Sequence, residues 1–274
     1  MNTLLAHLSD LHIREPGRLA YGRLDTSHYL RQAVQDLQQA RQRPDAVLIT
    51  GDLTDFGRAA EYAQLRALLA PLSQPIYLLP GNHDERQQLR ASFPDMPWLG
   101  RDGFVQYSVP VGELQLIVLD TVVPGEPHGS LCEERLAWLA AELERQRQRP
   151  VLIAMHHPPF ATLIGHMDAI GLRQGGPELE ALLRQHPNVE RVLCGHLHRS
   201  IQVRFGGTLA MTVPSPAHQV CLDLAPDAAS AWTLEPPAYA LHAWPEAGPL
   251  VSHLALCGRW PGPYPFHDGA GLID

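Results

Sequence analysis

The chain is short of cysteine. Only Cys132, Cys194, Cys221 and Cys257 occur in 274 residues, widely scattered and with no C-x-x-C pair. That spacing argues against a zinc ribbon or a disulfide frame and suits reduced thiols, so a cytoplasmic protein is expected. Residues 1–7 carry no basic stretch, and their apolar run stops at His7. Neither a signal peptide nor a membrane anchor is therefore expected, and no membrane partner. Basic residues are also scarce, with 21 Lys and Arg against 29 Asp and Glu and a net charge of −8. Duplex binding needs many cations to displace condensed counterions, so a nucleic-acid polymer is not an expected partner. A small phosphate ester is compatible with this balance, because bound metals can supply positive charge. No internal repeat, coiled coil or low-complexity tract is found, and 45% hydrophobic with 18% charged residues excludes general disorder.

Histidine is plentiful at 15 residues, and its placement is informative. In Leu78-Leu79-Pro80-Gly81-Asn82-His83-Asp84 a short apolar run halts at a glycine and passes into an amide, an imidazole and a carboxylate. The same change recurs at Leu8-Ser9-Asp10-Leu11-His12, Ile49-Thr50-Gly51-Asp52, Ile153-Ala154-Met155-His156-His157 and Leu193-Cys194-Gly195-His196-Leu197-His198. Each reads as a buried strand ending at a polar site.

In chain order, the pattern predicts a strand over 3–8, a helix carrying Leu30, Ala33, Val34 and Leu37 with Thr26 or Ser27 as cap, and a strand over 46–49. A helix over 58–70 and a strand over 75–79 complete β-α-β-α-β. A helix over 85–91, a hairpin over 104–109 and 114–119, and a helix opened by a Ser130/Glu133 capping box follow. Next come a strand over 151–155, a helix over 177–185, and strands over 189–194, 200–205, 208–213 and 219–224. Beyond residue 224 the composition shifts, with eight of 25 prolines and three of five tryptophans in the last 50 residues. We therefore expect a core over 1–224 and a C-terminal cap or oligomerisation segment over 225–274, with one more strand near 250–256.

Ligand sites of parallel α/β sheets lie beyond the carboxyl ends of the strands, where groups distant in sequence meet. The candidate metal ligands are Asp10, His12, Asp52, Asn82, His156, His196 and His198. Carboxylate, imidazole and amide without thiolate suit Mn, Fe, Co, Ni or Zn. Seven donors exceed the need of one ion and suggest two. Whether His156 or His157 is the donor at that strand end stays open on the residues alone.

These motifs, D-x-H at Asp10, G-D-x-x-D at Gly51, G-N-H-D at Gly81, a strand-end histidine at His156 and G-H-x-H at Gly195, resemble in kind and order those of the calcineurin-like metallophosphoesterases. Within that superfamily the chain looks closest to class III cyclic-nucleotide phosphodiesterases and bacterial glycerophosphodiesterases. The resemblance implies a four-layer α/β/β/α sandwich of two mixed sheets. It also implies two divalent or trivalent transition-metal ions (Fe, Mn, Zn or Co). Asp10, His12 and His198 would hold one, Asn82, His156 and His196 the other, with Asp52 between them. The implied activity is hydrolysis of a small phosphodiester, a glycerophosphodiester or a 3′,5′-cyclic nucleotide, by a metal-bridging hydroxide. His83 is implied as the catalytic acid or phosphate contact, and His218 as a substrate-phosphate contact. Asp55 stands where purple acid phosphatases place a tyrosine ligand, so an iron-tyrosinate centre is not expected. Asp55 and Asp84 are read as helix caps or as partners orienting a ligand histidine. The remaining histidines, His166 among them, are read as surface or packing residues. Competing readings are a phosphomonoesterase of the same superfamily and a metal-free protein-binding scaffold. The likeness and the proline- and tryptophan-rich tail suggest a homo-oligomer through the C-terminal segment.

Overall fold

A computed structural model of the chain describes residues 2–268 and 271–272. The elements in order are β1 (Thr3–Leu8), α1 (Thr26–Gln39), β2 (Ala46–Thr50), α2 (Ala59–Leu69), β3 (Ile76–Leu79) and α3 (Arg86–Ser92). The hairpin strands β4 (Tyr107–Val111) and β5 (Leu114–Val118) follow, then β6 (Gly129–Ser130), α4 (Glu133–Arg145), β7 (Val151–Met155) and the one-turn α5 (Gly165–Asp168). The chain continues through β8 (Leu172–Gln174), α6 (Gly176–Leu183), β9 (Val189–Cys194), β10 (Ile201–Phe205), β11 (Thr208–Thr212), β12 (Gln219–Val220) and β13 (Trp232–Thr233). It closes with β14 (Ala238–Trp244), β15 (Val251–Leu256), β16 (His267–Asp268) and β17 (Gly271–Leu272).

Two mixed sheets face one another, ordered β15-β14-β1-β2-β3 and β10-β11-β9-β7-β5-β4. Strands β1, β2, β5 and β7 are buried along their whole length, as their predominantly apolar sequences favour, with His7 and Gln115 among the polar exceptions. Alternation along β5 and β7 sorts the side chains: Leu116, Val118, Leu152 and Ala154 join the core between the sheets. Ile117, Ile153 and Met155 point the other way, onto Leu139 and Leu143 of α4 and Leu179 and Leu183 of α6. With α1 and α2 covering the first sheet through Leu30, Leu37 and Leu65, the result is the expected α/β/β/α order of layers. Among the described residues no helix is long and apolar enough to cross a membrane.

Some local expectations fail, each for a visible reason. Asp25, not Thr26 or Ser27, caps α1 by accepting from the His28 amide. Ser130 does not cap α4; its hydroxyl donates to Gln174 across the β6–β8 pair, and Cys132 occupies the N-cap. The strand expected over 219–224 is only two residues long, because it pairs with the short β13. Past residue 224, β14 lies antiparallel to β1 and β15 to β14, so residues 238–256 extend the first sheet by two strands.

Candidate metal centre

Strands β1, β2, β3, β7 and β9 end at one rim, and the loops that follow them bring the seven candidate donors together. Nitrogens or oxygens of Asp10, His12, Asp52 and His198 all lie within 4.8 Å of one another, and all four residues are buried. His12 Nε2 is 3.3 Å from His198 Nε2, and His198 Nε2 is 3.5 Å from Asp10 Oδ1. On the other side, His156 Nε2 lies 3.1 Å from Asn82 Oδ1. His196 packs its ring edge-on against His156, with centroids 5.1 Å apart. Between the two sets stands one atom: Asp52 Oδ2 is 3.6 Å from His12 Nε2 and 3.4 Å from His156 Nε2.

The hydrogen bonds behind these groups settle which way each imidazole faces. His156 Nδ1 donates to the Thr50 carbonyl at 2.7 Å, His198 Nδ1 to the His218 carbonyl at 3.0 Å, and His12 Nδ1 to Asp55 Oδ1 at 3.2 Å. Each Nδ1 proton is thereby committed outward, and the Nε2 atoms converge inward. His196 Nε2 is buried with no hydrogen-bond partner among the described residues. Facing imidazole nitrogens, an orphaned buried nitrogen and two buried carboxylates form a donor set that suits cations. His157 differs, since its Nε2 donates to the Pro127 carbonyl at 3.2 Å and its Nδ1 accepts from the Thr121 hydroxyl at 2.7 Å. Both of its nitrogens are occupied elsewhere, an arrangement that sequence could not reveal.

Charge in the cluster is strongly coupled. Burial alone would raise Asp52, yet His156, His83 and His12 outweigh it and hold the carboxyl well below the usual range. Burial would lower His156, but Asp52 pushes it up to about 9. Burial holds His198 down at about 4 despite Asp10, and burial with His156 beside it keeps His196 well below the ordinary histidine value.

Backbone geometry is equally unusual. Asp10, His12, Asp52, His196 and His198 all have positive φ, between 45° and 71°, the left-handed region that Asp and His enter at a cost of about 1–2 kcal/mol each. Such strain persists where surrounding structure over-determines it, and it concentrates at functional sites. Gly81 shows why a glycine precedes Asn82: an added Cβ would run into the Asp52 carboxylate and amide and come 2.8 Å from His156 Cε1.

Neighbouring residues organise the rim. Asp55 orients His12 and is itself held by Arg14 Nη1 at 3.1 Å. Asp84 does not cap α3, since Glu85 does so by accepting from the Gln87 and Gln88 amides. Asp84 instead accepts from the amides of Leu53, Thr54 and Gly81 and from Tyr62 Oη, tying the loop after β2 to the loop after β3. The His83 amide donates to Asp52 Oδ1 at 3.0 Å, and its Nδ1 donates to the Asp55 carbonyl at 2.8 Å. The donors open into a cleft of ≈ 370 Å³ whose lining includes His12, Asp52, Asn82, His83, His196, His198 and His218. Tyr21, His166, Met167, Ile170 and Trp232 also line it. Sequence reading missed these, because none belongs to a motif and Trp232 lies more than 200 residues from Tyr21 in the chain.

The family model for calcineurin-like phosphoesterases matches residues 3–200. A protein named "Probable glycerophosphodiester phosphodiesterase GpdQ" from Arcobacter nitrofigilis is 35% identical over 272 residues, covering 99% of this chain and 100% of the relative. A "Probable cyclic nucleotide phosphodiesterase" from Rhodopseudomonas palustris is 38% identical over 274 residues, covering 97% and 96%. Among solved structures, a dimetal phosphatase from Danio rerio superposes with a TM-score of 0.64 at 18% identity, covering 93% of this chain and 99% of that one, which supports the fold. By sequence and by architecture, the chain belongs to the calcineurin-like phosphoesterase family.

Proposed function

We propose that this protein is a dinuclear metal-dependent phosphodiesterase acting on small phosphodiesters, glycerophosphodiesters or 3′,5′-cyclic nucleotides, in the cytoplasm. Asp10, His12 and His198 would hold one ion, Asn82, His156 and His196 the other, with Asp52 shared. When bound, such ions supply positive charge opposite the ester oxygens and acidify water enough for attack at neutral pH. The donor set admits Fe, Mn, Zn or Co.

The rest falls to the chain. His83 keeps its Nδ1 proton on the Asp55 carbonyl, so Nε2 is the ring atom that can hold a proton for the departing alkoxide or contact a phosphoryl oxygen. His218 lines the cleft with a buried Nδ1 that has no hydrogen-bond partner among the described residues, which suits it to a substrate oxygen. His218 is buried in the cleft wall, which strengthens its polar contacts.

One observation carries the diester over the monoester. The chain contains no lysine, and no arginine is among the described residues lining the cleft. A monoester dianion would be left with charge that these walls do not meet, whereas a diester carries a single charge. Purified protein supplied with Mn or Co should hydrolyse bis(p-nitrophenyl) phosphate with a higher kcat/KM than p-nitrophenyl phosphate. The opposite preference would favour the phosphomonoesterase, and failure to bind metal at saturating concentrations would favour the metal-free scaffold.

The C-terminal segment supports a homo-oligomer. Leu254, Leu256, Trp260, Tyr264 and Phe266 are all exposed on it. Light scattering at high concentration should give a mass above 30.3 kDa, and a monomer would remove that reading.

A further inference from the structure

Beside the metal donors, where the His218 ring meets His198 with centroids 4.5 Å apart, the cleft changes character. One wall is a cluster of three rings: Tyr21 lies nearly parallel to Trp232, with centroids 5.4 Å apart and planes at 29°. His218 meets both edge-on, at 5.3 Å from Tyr21 and 5.7 Å from Trp232. Met167 and Ile170 add apolar surface to the same cavity.

Separate elements hold the two outer rings. Trp232 sits on β13 in register with Val220 of β12, and the Cys221 amide donates to the Ala231 carbonyl at 2.9 Å. Tyr21 has φ of 51°, a left-handed conformation that a tyrosine seldom adopts, inside a turn closed by the Leu24 amide on the Ala20 carbonyl at 2.9 Å. The ring of this strained residue is not spent on the core, since Tyr21 remains 48% exposed. Backbone strain that leaves a large aromatic half in solvent at the mouth of a site calls for a ligand rather than for packing.

We propose that Tyr21 and Trp232 form an aromatic platform that takes a flat ring carried by the substrate, so that the enzyme selects phosphodiesters bearing a planar aromatic substituent over ringless ones. This rests on the phosphodiesterase reading and adds its specificity determinant. The neutral lining matches an uncharged ring, and the metal donors would take the anionic end of the same molecule. Stacking on an aromatic side chain tolerates different flat rings and gains about fivefold or more per ring.

The test uses the Mn-loaded protein and two anions of equal charge that carry no P–O–C bond to hydrolyse, methyl(phenyl)phosphinate and dimethylphosphinate, titrated calorimetrically. Wild type should bind the phenyl compound about fivefold or more tightly than the methyl one. Trp232→Ala should erase most of that ratio, and Trp232→Phe should keep it. Tyr21→Gly removes a ring while relieving the left-handed strain, so it should fold at least as stably as wild type and still lose part of the preference. An unchanged ratio in folded Trp232→Ala and Tyr21→Gly would overturn the platform. Hydrolysis of bis(p-nitrophenyl) phosphate by the wild type, measured alongside, tells that failure from a failure of the phosphodiesterase reading.

Discussion

Replacing His83 by alanine separates proton chemistry from metal binding. The contacts of His83 with the centre divide between its amide and its ring. Its amide donates to Asp52 Oδ1 at 3.0 Å and survives the substitution, whereas the ring contributes one hydrogen bond, to the Asp55 carbonyl at 2.8 Å, and an edge contact on His12 at 4.7 Å. The side chain is 36% exposed, so truncation should cost about 1 kcal/mol of stability and leave the donors in place. Losing a positioned acid should lower kcat by roughly 10²–10⁴. The leaving group decides whether that acid is what was lost. p-Nitrophenolate departs without being protonated, while an alkoxide does not, so the loss should be large on glycerophosphoethanolamine and small on bis(p-nitrophenyl) phosphate. Steady-state kinetics on both esters, with metal content measured on the same preparations, provides the comparison. Equal losses on the two esters would make His83 a phosphate contact rather than an acid, and loss of the metals would refute the assignment altogether.

Gly81→Ala should strip at least one ion and reduce turnover by about 10²-fold, because its Cβ collides with the shared carboxylate Asp52; elemental analysis showing full metal would contradict this. Chelation should lower the unfolding free energy by about 3 kcal/mol relative to protein at free metal one-hundredfold above Kd, read from urea midpoints, and an unchanged midpoint would count against a resident ion. Away from the site, His7 Nδ1 lies 3.3 Å from His242 Nε2, and their outer nitrogens meet Thr50 Oγ1 and Ser252 Oγ. Burial and then His242 hold His7 well below 6.5, while burial and then Arg191 hold His242 at about 3. Since both folded values lie below the unfolded one, the unfolded chain takes up protons first as pH falls. Stability present above about pH 6.5 should therefore drop as pH falls from 7.5 to 5.0, by about 2 kcal/mol from His242 with a further loss from His7, and His242→Gln should lose its share of that slope.

Local pattern made much of the architecture legible. Strand β1 (Thr3–Leu8) appears with the predicted bounds, and strands β7 and β9 likewise, because short, mainly apolar runs halted by a polar cluster have few other uses in a buried sheet. The termini of helices were less legible, since capping depends on which side chain the final backbone presents: Asp25 and Glu85 do that work rather than Thr26 and Asp84. Strand β14 was missed, as Ala238–Trp244 mixes small, aromatic and polar residues and is recognised as a strand only by its antiparallel partner β1.

The strand ends that carry the proposed donors were legible in sequence because each is an abrupt halt of an apolar run, a signal of local chemistry, whereas the choice of His156 over His157 came from the family resemblance. Only the tertiary structure decided the rest. It turned three imidazole Nδ1 protons outward, engaged both nitrogens of His157 elsewhere, and set Asp52 Oδ2 within 3.6 Å of a histidine on either side. It also carried Trp232 across the chain to Tyr21 at the mouth of the cleft. Sequence records which groups are available, whereas ring orientation, tautomer and the pairing of remote aromatics follow from hydrogen bonds and contacts that exist only once the two sheets have packed.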